Sequence, residues 1–213
     1  MSLKEQLSRG CEQLSIPVSE AQLEALLHYQ EMLLKWNKVY NLTAITAPPK
    51  IITHHLLDSL AVLPYLQGDH IIDVGCGGGL PGIILAIMLP EKQFVLLDSN
   101  SKKTRFVKQV VIELRLKNVA VEHSRVEKYQ PEHPFDVVLS RAFASLSDML
   151  VWCAHLRNKS GIFLAMKGVN PQEEHEPLPD GFRIFEQHQL IVPGLNAERH
   201  VVLIDSQDSN EQS

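Results

Sequence analysis

A strand, a glycine loop and a helix in direct succession constrain this chain more than any other feature. Ile71-Ile72-Asp73-Val74 is β-branched and apolar, Gly75-Cys76-Gly77-Gly78-Gly79-Leu80-Pro81-Gly82 follows, and Ile83 to Leu89 is the longest apolar run in the sequence. Glycines let a backbone turn tightly and approach a ligand without a Cβ clash, and Pro81 suits the first turn of a helix. Five glycines in eight residues are costly in chain entropy for a turn that holds nothing. The rest of the chain repeats the alternation. Runs at Gln93 to Leu97, Val119 to Val121, Phe135 to Leu139 and Gly161 to Met166 read as buried parallel strands. Pro81 to Leu89 and Ser101 to Leu116 read as helices between them, the second with Phe106, Val107, Val110, Val111 and Leu114 on one face. Such alternation predicts an α/β fold with a doubly wound, mostly parallel sheet. Phe182 to Val192 and Arg199 to Ile204 are joined by a Pro193-Gly194 turn region with no room for a helix, so they should pair antiparallel at one end of it.

Upstream, residues 1–66 read as a small helical cap on a main domain spanning 67–205, with 206–213 a flexible polar tail. Ser19 can cap a helix, Gln22 can complete a capping box, and Val18 can staple onto Leu23. Leu23, Leu26, Leu27, Leu33, Leu34 and Trp36 form its apolar stripe. Leu3, Leu7, Cys11 and Leu14 suit a short preceding helix, and Ile51 to Leu63 a third one beyond the Pro48-Pro49 break. At 213 residues there is room for one ordinary domain with an appendage. No run approaches the roughly 20 apolar residues of a membrane span, and the N-terminus lacks the apolar core of a signal peptide. Three cysteines without CxxC spacing predict neither a disulfide framework nor a zinc site, and ten histidines include no HExxH, so no metal is expected. A reducing cytoplasm is the expected location. A formal charge of −5 gives no global electrostatic case for nucleic acid, so any such partner must be met by local patches.

Two ligands satisfy the loop. Gly77, Gly79 and Gly82 give the GxGxxG of dinucleotide sites, while Asp73, Gly75, Gly77 and Gly79 give the acidic-x-Gly-x-Gly-x-Gly of S-adenosylmethionine sites. Asp98, ending the second strand, is placed to accept from both hydroxyls of a ribose in either ligand; the plainer alternative is a cap for the helix near Ser101. Asp73 tilts the choice. A carboxylate there can pair with a methionine ammonium, whereas a pyrophosphate gains nothing from it. The terminal antiparallel pair also fits a methyltransferase sheet better than a dehydrogenase sheet, by analogy of fold.

Longer motifs carry a family likeness: Asp73 to Gly82, Lys35-Trp-Asn-Lys-Val-Tyr-Asn-Leu-Thr43, His55-Leu-Leu-Asp-Ser59, Leu96-Leu-Asp-Ser99, Ser124-Arg-Val-Glu127, Ser140-Arg-Ala-Phe-Ala144, Met166-Lys-Gly168 and Glu198-Arg-His200. Together, from about Leu14 to Ile204, they resemble the bacterial ribosomal RNA small subunit methyltransferase G family, also called glucose-inhibited division protein B. The resemblance implies a class I, Rossmann-like methyltransferase domain with a helical cap. It implies S-adenosylmethionine as cofactor and N7 of one guanine in the 16S decoding region as target. The expected partner is 16S rRNA, within the small subunit or an assembly intermediate; neither DNA nor a membrane is expected as a partner, and the chain is expected to be a monomer. Family binding positions fall on Gly75, Leu80, Val126, Glu127 and Arg141. The family pattern has Thr-Gly-Pro-Gly where Cys76 to Gly79 stand, which keeps the backbone, and an Arg where His54 stands, which removes a fixed charge.

The residues agree with that chemistry. Guanine N7 carries an in-plane lone pair and no proton, so methylation there needs alignment and electrostatics rather than a base. Leu139 is followed by Ser140-Arg141-Ala142-Phe143, with no Asn/Asp-Pro-Pro-aromatic cluster for an exocyclic amine, and no Pro-Cys pair offers a thiolate for pyrimidine C5. No general base is assigned; Lys167 and Arg199 are the candidates for catalytic assistance. Val126 can pack an adenine face while Glu127 reads its edge, or the pair can be an exposed helix cap with Lys128 as charge partner. Arg141 ends a strand at the crevice, where an ordinary surface ion pair is the alternative. Lys102, Lys103, Arg105 and Lys108 on one helix, with Arg125, Lys167 and Arg199 near strand ends, are candidates for phosphate contact, against the alternative of solvated surface charge. Because the A-form major groove hides N7, the target guanine should lie in an irregular or opened segment.

Overall fold

A computed structural model describes residues 1–168 and 177–206. Among them the strands are β1 (His70–Val74), β2 (Gln93–Asp98), β3 (Val119–His123), β4 (Phe135–Ser140), β5 (Arg157–Lys167), β6 (Phe182–Gln189) and β7 (His200–Ser206). They form one sheet in the order β3-β2-β1-β4-β5-β7-β6. The first five run parallel; β7 is antiparallel to β5 and to β6. The chain leaves β1 toward β2 on one side and returns to β4 on the other, which opens a crevice at the carboxyl ends of β1 and β4.

Strand residues alternate between two buried layers, as the period of two requires. Ile71, Leu96, Leu139, Leu164 and Leu203 face a cluster shared with the N-terminal helices and with α5 (Gly82–Met88) and α6 (Ser101–Glu113). Ile72, Leu97, Val138, Phe163 and Val202 face the other, built with α7 (Leu146–Cys153). Both faces are apolar, so these strands read as near-continuous hydrophobic runs rather than alternating ones.

At the N-terminus, α1 (Leu3–Gln13) and α2 (Glu20–Tyr40) form as expected, and Ser19 with Gln22 makes the capping box. Leu7, Leu26 and Leu33 are fully buried in the same cluster as the sheet's Ile71 and Leu139. The third helical stretch starts at Pro48 rather than beyond the proline pair: α3 (Pro48–Ile51) runs into a π-helical turn (Ile52–Leu57) and α4 (Asp58–Leu60). Proline is tolerated at a first helical position, where its missing N–H is not needed. Strand boundaries also moved: β3 runs two residues past Val121, and β6 stops at Gln189, three residues short of Val192. β5 begins at Arg157, four residues early, and β7 runs to Ser206, whose Oγ accepts from Arg157 Nη2 at 2.8 Å. The remainder of the expected tail lies outside the described residues. No helix among those described is long and apolar enough to cross a membrane.

Candidate cofactor and substrate site

The glycine loop is fixed from three directions. Gly75 and Cys76 N–H donate to Leu97 O at 2.8 and 3.1 Å, and Gly77 N–H donates to Asp98 Oδ2 at 2.9 Å. From above, Tyr29 of α2 donates its hydroxyl to Gly78 O at 2.8 Å. From the far side, Ser140 Oγ donates to Val74 O at 2.7 Å and accepts from Ala142 N at 3.1 Å, which holds the loop after β4 against β1. Gly75 has φ +74°, and a Cβ there would stand 2.6 Å from that of Ala142. Gly77 has φ +58°, and a Cβ there would meet nothing nearer than a loop carbonyl at 4.0 Å; it would project into open space. That is the geometry of a backbone left bare for a ligand.

Two cavities meet at this loop, sharing Gly75, Lys103 and Ala142. The first, about 390 Å³, is lined by Asp98, Arg125, Val126 and Glu127, with Phe143 and Trp152 on the outer wall. The second, about 220 Å³, is lined by Gly77, Leu80, Arg141 and His55. Most of the residues expected to bind a cofactor therefore converge. Asp98 is 8% exposed, and its second oxygen accepts from Asn100 N at 2.8 Å. The helix cap considered for Asp98 is made by Asn100 instead, which accepts from the N–H groups of Lys102 and Lys103. Val126 is buried in a short 3₁₀ turn (Val126–Lys128) and Glu127 is exposed, with no ion pair to Lys128.

Asp73 and Gly79 line neither cavity. Gly79 has φ +85° and forms the turn into α5. Asp73 is fully buried; Oδ2 accepts from Gly82 N–H at 2.8 Å, while Oδ1 has no partner among the described residues. Burial pushes its carboxyl up to about 7, against the opposing pull of the Gly82 N–H and Arg141. Cys76, at the first departure from the family pattern, is 1% exposed, and burial holds its thiol well above the usual range. His54, at the second, turns Nδ1 to Thr53 Oγ1 at 2.7 Å and Lys50 O at 3.0 Å.

The residue that sequence reading missed is Asp58. Its side chain is 1% exposed, Oδ2 accepts from Arg141 Nη1 at 3.3 Å, and Oδ1 accepts from Arg199 Nε at 2.8 Å. Arg141 is thus no ordinary surface pair. Two guanidiniums against one carboxylate leave one positive charge in surplus at the crevice floor. His55, three residues earlier on the π turn, places Nε2 2.7 Å from Thr43 Oγ1 and donates from Nδ1 to His54 O at 3.0 Å. Burial, then the nearby Arg141 charge, lowers it to about 4, so the ring is neutral at pH 7. A carboxylate set among Leu56, Leu57, Leu60 and Ala61 was the available signal in the sequence. Lys167 is buried at the end of β5, where Nζ donates to Ala144 O. Lys102, Arg105 and Lys108 are exposed on α6 outside both cavities.

A parallel sheet with this strand order, an antiparallel terminal pair and a glycine loop at the crevice has the class I methyltransferase fold. Solved structures agree on the fold: an O-methyltransferase from Klebsiella pneumoniae, described as putative, aligns over 90% of this chain and 92% of its own with TM-score 0.57 at 13% identity. A coclaurine N-methyltransferase bound to N-methylheliamine and SAH aligns over 96% and 93% with TM-score 0.57 at 12% identity. Within that class, the GidB family, described as rRNA small subunit methyltransferase G, matches residues 22–202, and the chain belongs to it. Proteins named ribosomal RNA small subunit methyltransferase G are 52% identical over 94% of both chains in Ectopseudomonas mendocina and 50% identical over 98% and 99% in Vibrio vulnificus.

Proposed function

We propose that this chain uses S-adenosylmethionine to methylate N7 of one guanine in the decoding region of 16S rRNA, acting as a cytoplasmic monomer on the small subunit or an assembly intermediate. Family membership supports the RNA. The observation that carries the cofactor is the bare Gly77 backbone beside a buried, loop-anchored Asp98 at the β1/β4 crevice. When bound, the cofactor supplies a methyl group carried on a positively charged sulfur.

The chain's own residues then divide the work. Asp98 accepts from the ribose hydroxyls with the lone pairs left over from Gly77 and Asn100. Val126 packs the adenine face and Glu127 reads its edge in the larger cavity. Gly75, Gly77 and Leu80 bound the methionine part, and Arg141 faces its carboxylate. Asp73, with an unpartnered buried oxygen behind the loop, fits a site that places an ammonium nearby, because that charge would favour its ionised form. Guanine N7 has no proton to lose, so the neutral His55 and the paired Arg141 and Arg199 need only align the base and exclude water. Lys167 and Arg199 assist by electrostatics. Lys102, Lys103, Arg105 and Arg125 take phosphates around the mouth.

The test is methyl transfer from a labelled donor to small subunits taken from cells lacking the enzyme, with the modified base mapped. The reading predicts label on N7 of a 16S guanine. Label at an exocyclic amine, or none in 16S rRNA, would reject it.

A further inference from the structure

Helices α2 and α6 pack antiparallel. His28 Nε2 lies 2.9 Å from Glu113 Oε1 at one end, and the Trp36 ring centroid lies 5.7 Å from that of Phe106 nearer the other. Continuing that register by one turn sets Tyr40, the last residue of α2, beside the first turn of α6. Tyr40 stacks on Trp36 at 5.3 Å with 26° between the planes, so Phe106, Trp36 and Tyr40 make a row of rings leading outward from the core. At its outer end Val39 is 70% exposed. Lys102, one turn before Phe106 on α6, and Arg105 are exposed there too, and neither is ion-paired with a described residue. Immediately after the row, Leu42 and Thr43 line the smaller cavity, together with Lys103 of α6.

We infer that the Trp36–Tyr40 row is a stacking platform for an unpaired nucleobase of the substrate RNA flanking the target, with Lys102 and Arg105 on the adjoining phosphates. This inference rests on the reading above that the substrate is RNA. Half-buried rings that end a row at the surface, beside unpaired cations, fit a strand that carries a base face and a phosphate at each step. In a chain with a formal charge of −5, a cluster of unpaired cations at this edge is local electrostatic complementarity rather than a general attraction. A duplex would offer its phosphates but no base face, so the platform selects single-stranded RNA at this point. It also sets direction: the strand passes over the end of α2 into the cavity mouth beside Thr43.

The test uses the full chain with Tyr40→Ala, Tyr40→Phe and Lys102→Ala. Two probes are read, a fluorescein-labelled oligouridylate and small subunits lacking the methyl group. Tyr40→Ala should weaken oligouridylate binding and raise the KM for subunits roughly tenfold, the range of one lost base stack. Its kcat and cofactor affinity should stay at the wild-type values, and Tyr40→Phe should restore binding. Lys102→Ala should flatten the salt dependence of oligouridylate binding. Unchanged oligouridylate binding and KM in Tyr40→Ala, with methylation intact, would overturn the platform and leave the function standing. Weaker subunit binding without weaker oligouridylate binding would also overturn it, because the contact would then be with protein. Tyr40-dependent oligouridylate binding in a chain that does not methylate subunits would uphold the platform and sink the methylation reading.

Discussion

Asp58 joins parts of the chain that lie 83 and 141 residues away, in Arg141 and Arg199. A buried carboxylate with both oxygens committed is costly to neutralise, because each partner cation then loses its counter-charge. The arginines retain 30% and 25% side-chain exposure, so solvent screens part of that loss. Asp58→Asn should lower stability by about 1–3 kcal/mol, seen as a lower denaturant midpoint, and should weaken cofactor binding by freeing Arg141. Wild-type cofactor affinity in this variant would remove Asp58 from the site. His55 gives a second prediction at this scale. Its folded value of about 4 lies below the usual 6.5, so it adds stability above pH 6.5 that is lost as pH falls toward 4. That term amounts to about 3 kcal/mol. Asp73 works the other way, losing stability as pH rises from about 4 to about 7, so the comparison must be with a His55→Asn variant at each pH. The stability gap between wild type and variant should shift against the wild type between pH 6.5 and 4. Parallel curves would contradict the buried, neutral imidazole.

Among the elements, α2 does two tasks that a helical stripe alone does not announce. Its apolar face fills the core through Leu26 and Leu33, and its Tyr29 hydroxyl holds the glycine loop at Gly78. Tyr29→Phe leaves that buried carbonyl without its donor, at about 1–3 kcal/mol. Calorimetry should show cofactor binding weakened several-fold while the far-ultraviolet dichroism stays unchanged; full affinity would mean that the loop holds itself. Elements of this kind were legible where their cause is local. Ser19 with Gln22, the runs that became β1 to β5, and Asp98 at a strand end could all be read directly. The start of α3 at Pro48, the π turn and the early start of β5 could not, because they depend on packing. Asp58 stayed hidden for the same reason: the quoted HLLDS motif contains it, but its two arginines come from β4's end and the edge of β7, and only the fold brings them together.

At the scale of the molecule, the sheet, its terminal antiparallel pair and the N-terminal helices converge on one crevice. The loop after β1 is bare on the ligand side and anchored on every other, from β2, from the end of β4 and from α2. That arrangement pre-organises a nucleoside site before any ligand arrives, which lowers the ordering cost of binding. The most direct measurement is isothermal titration of the purified chain with S-adenosylmethionine and, separately, with NAD. The account predicts one site for the methyl donor, lost in Gly75→Asp, and no heat from the dinucleotide. Binding of NAD with none of the methyl donor would contradict it.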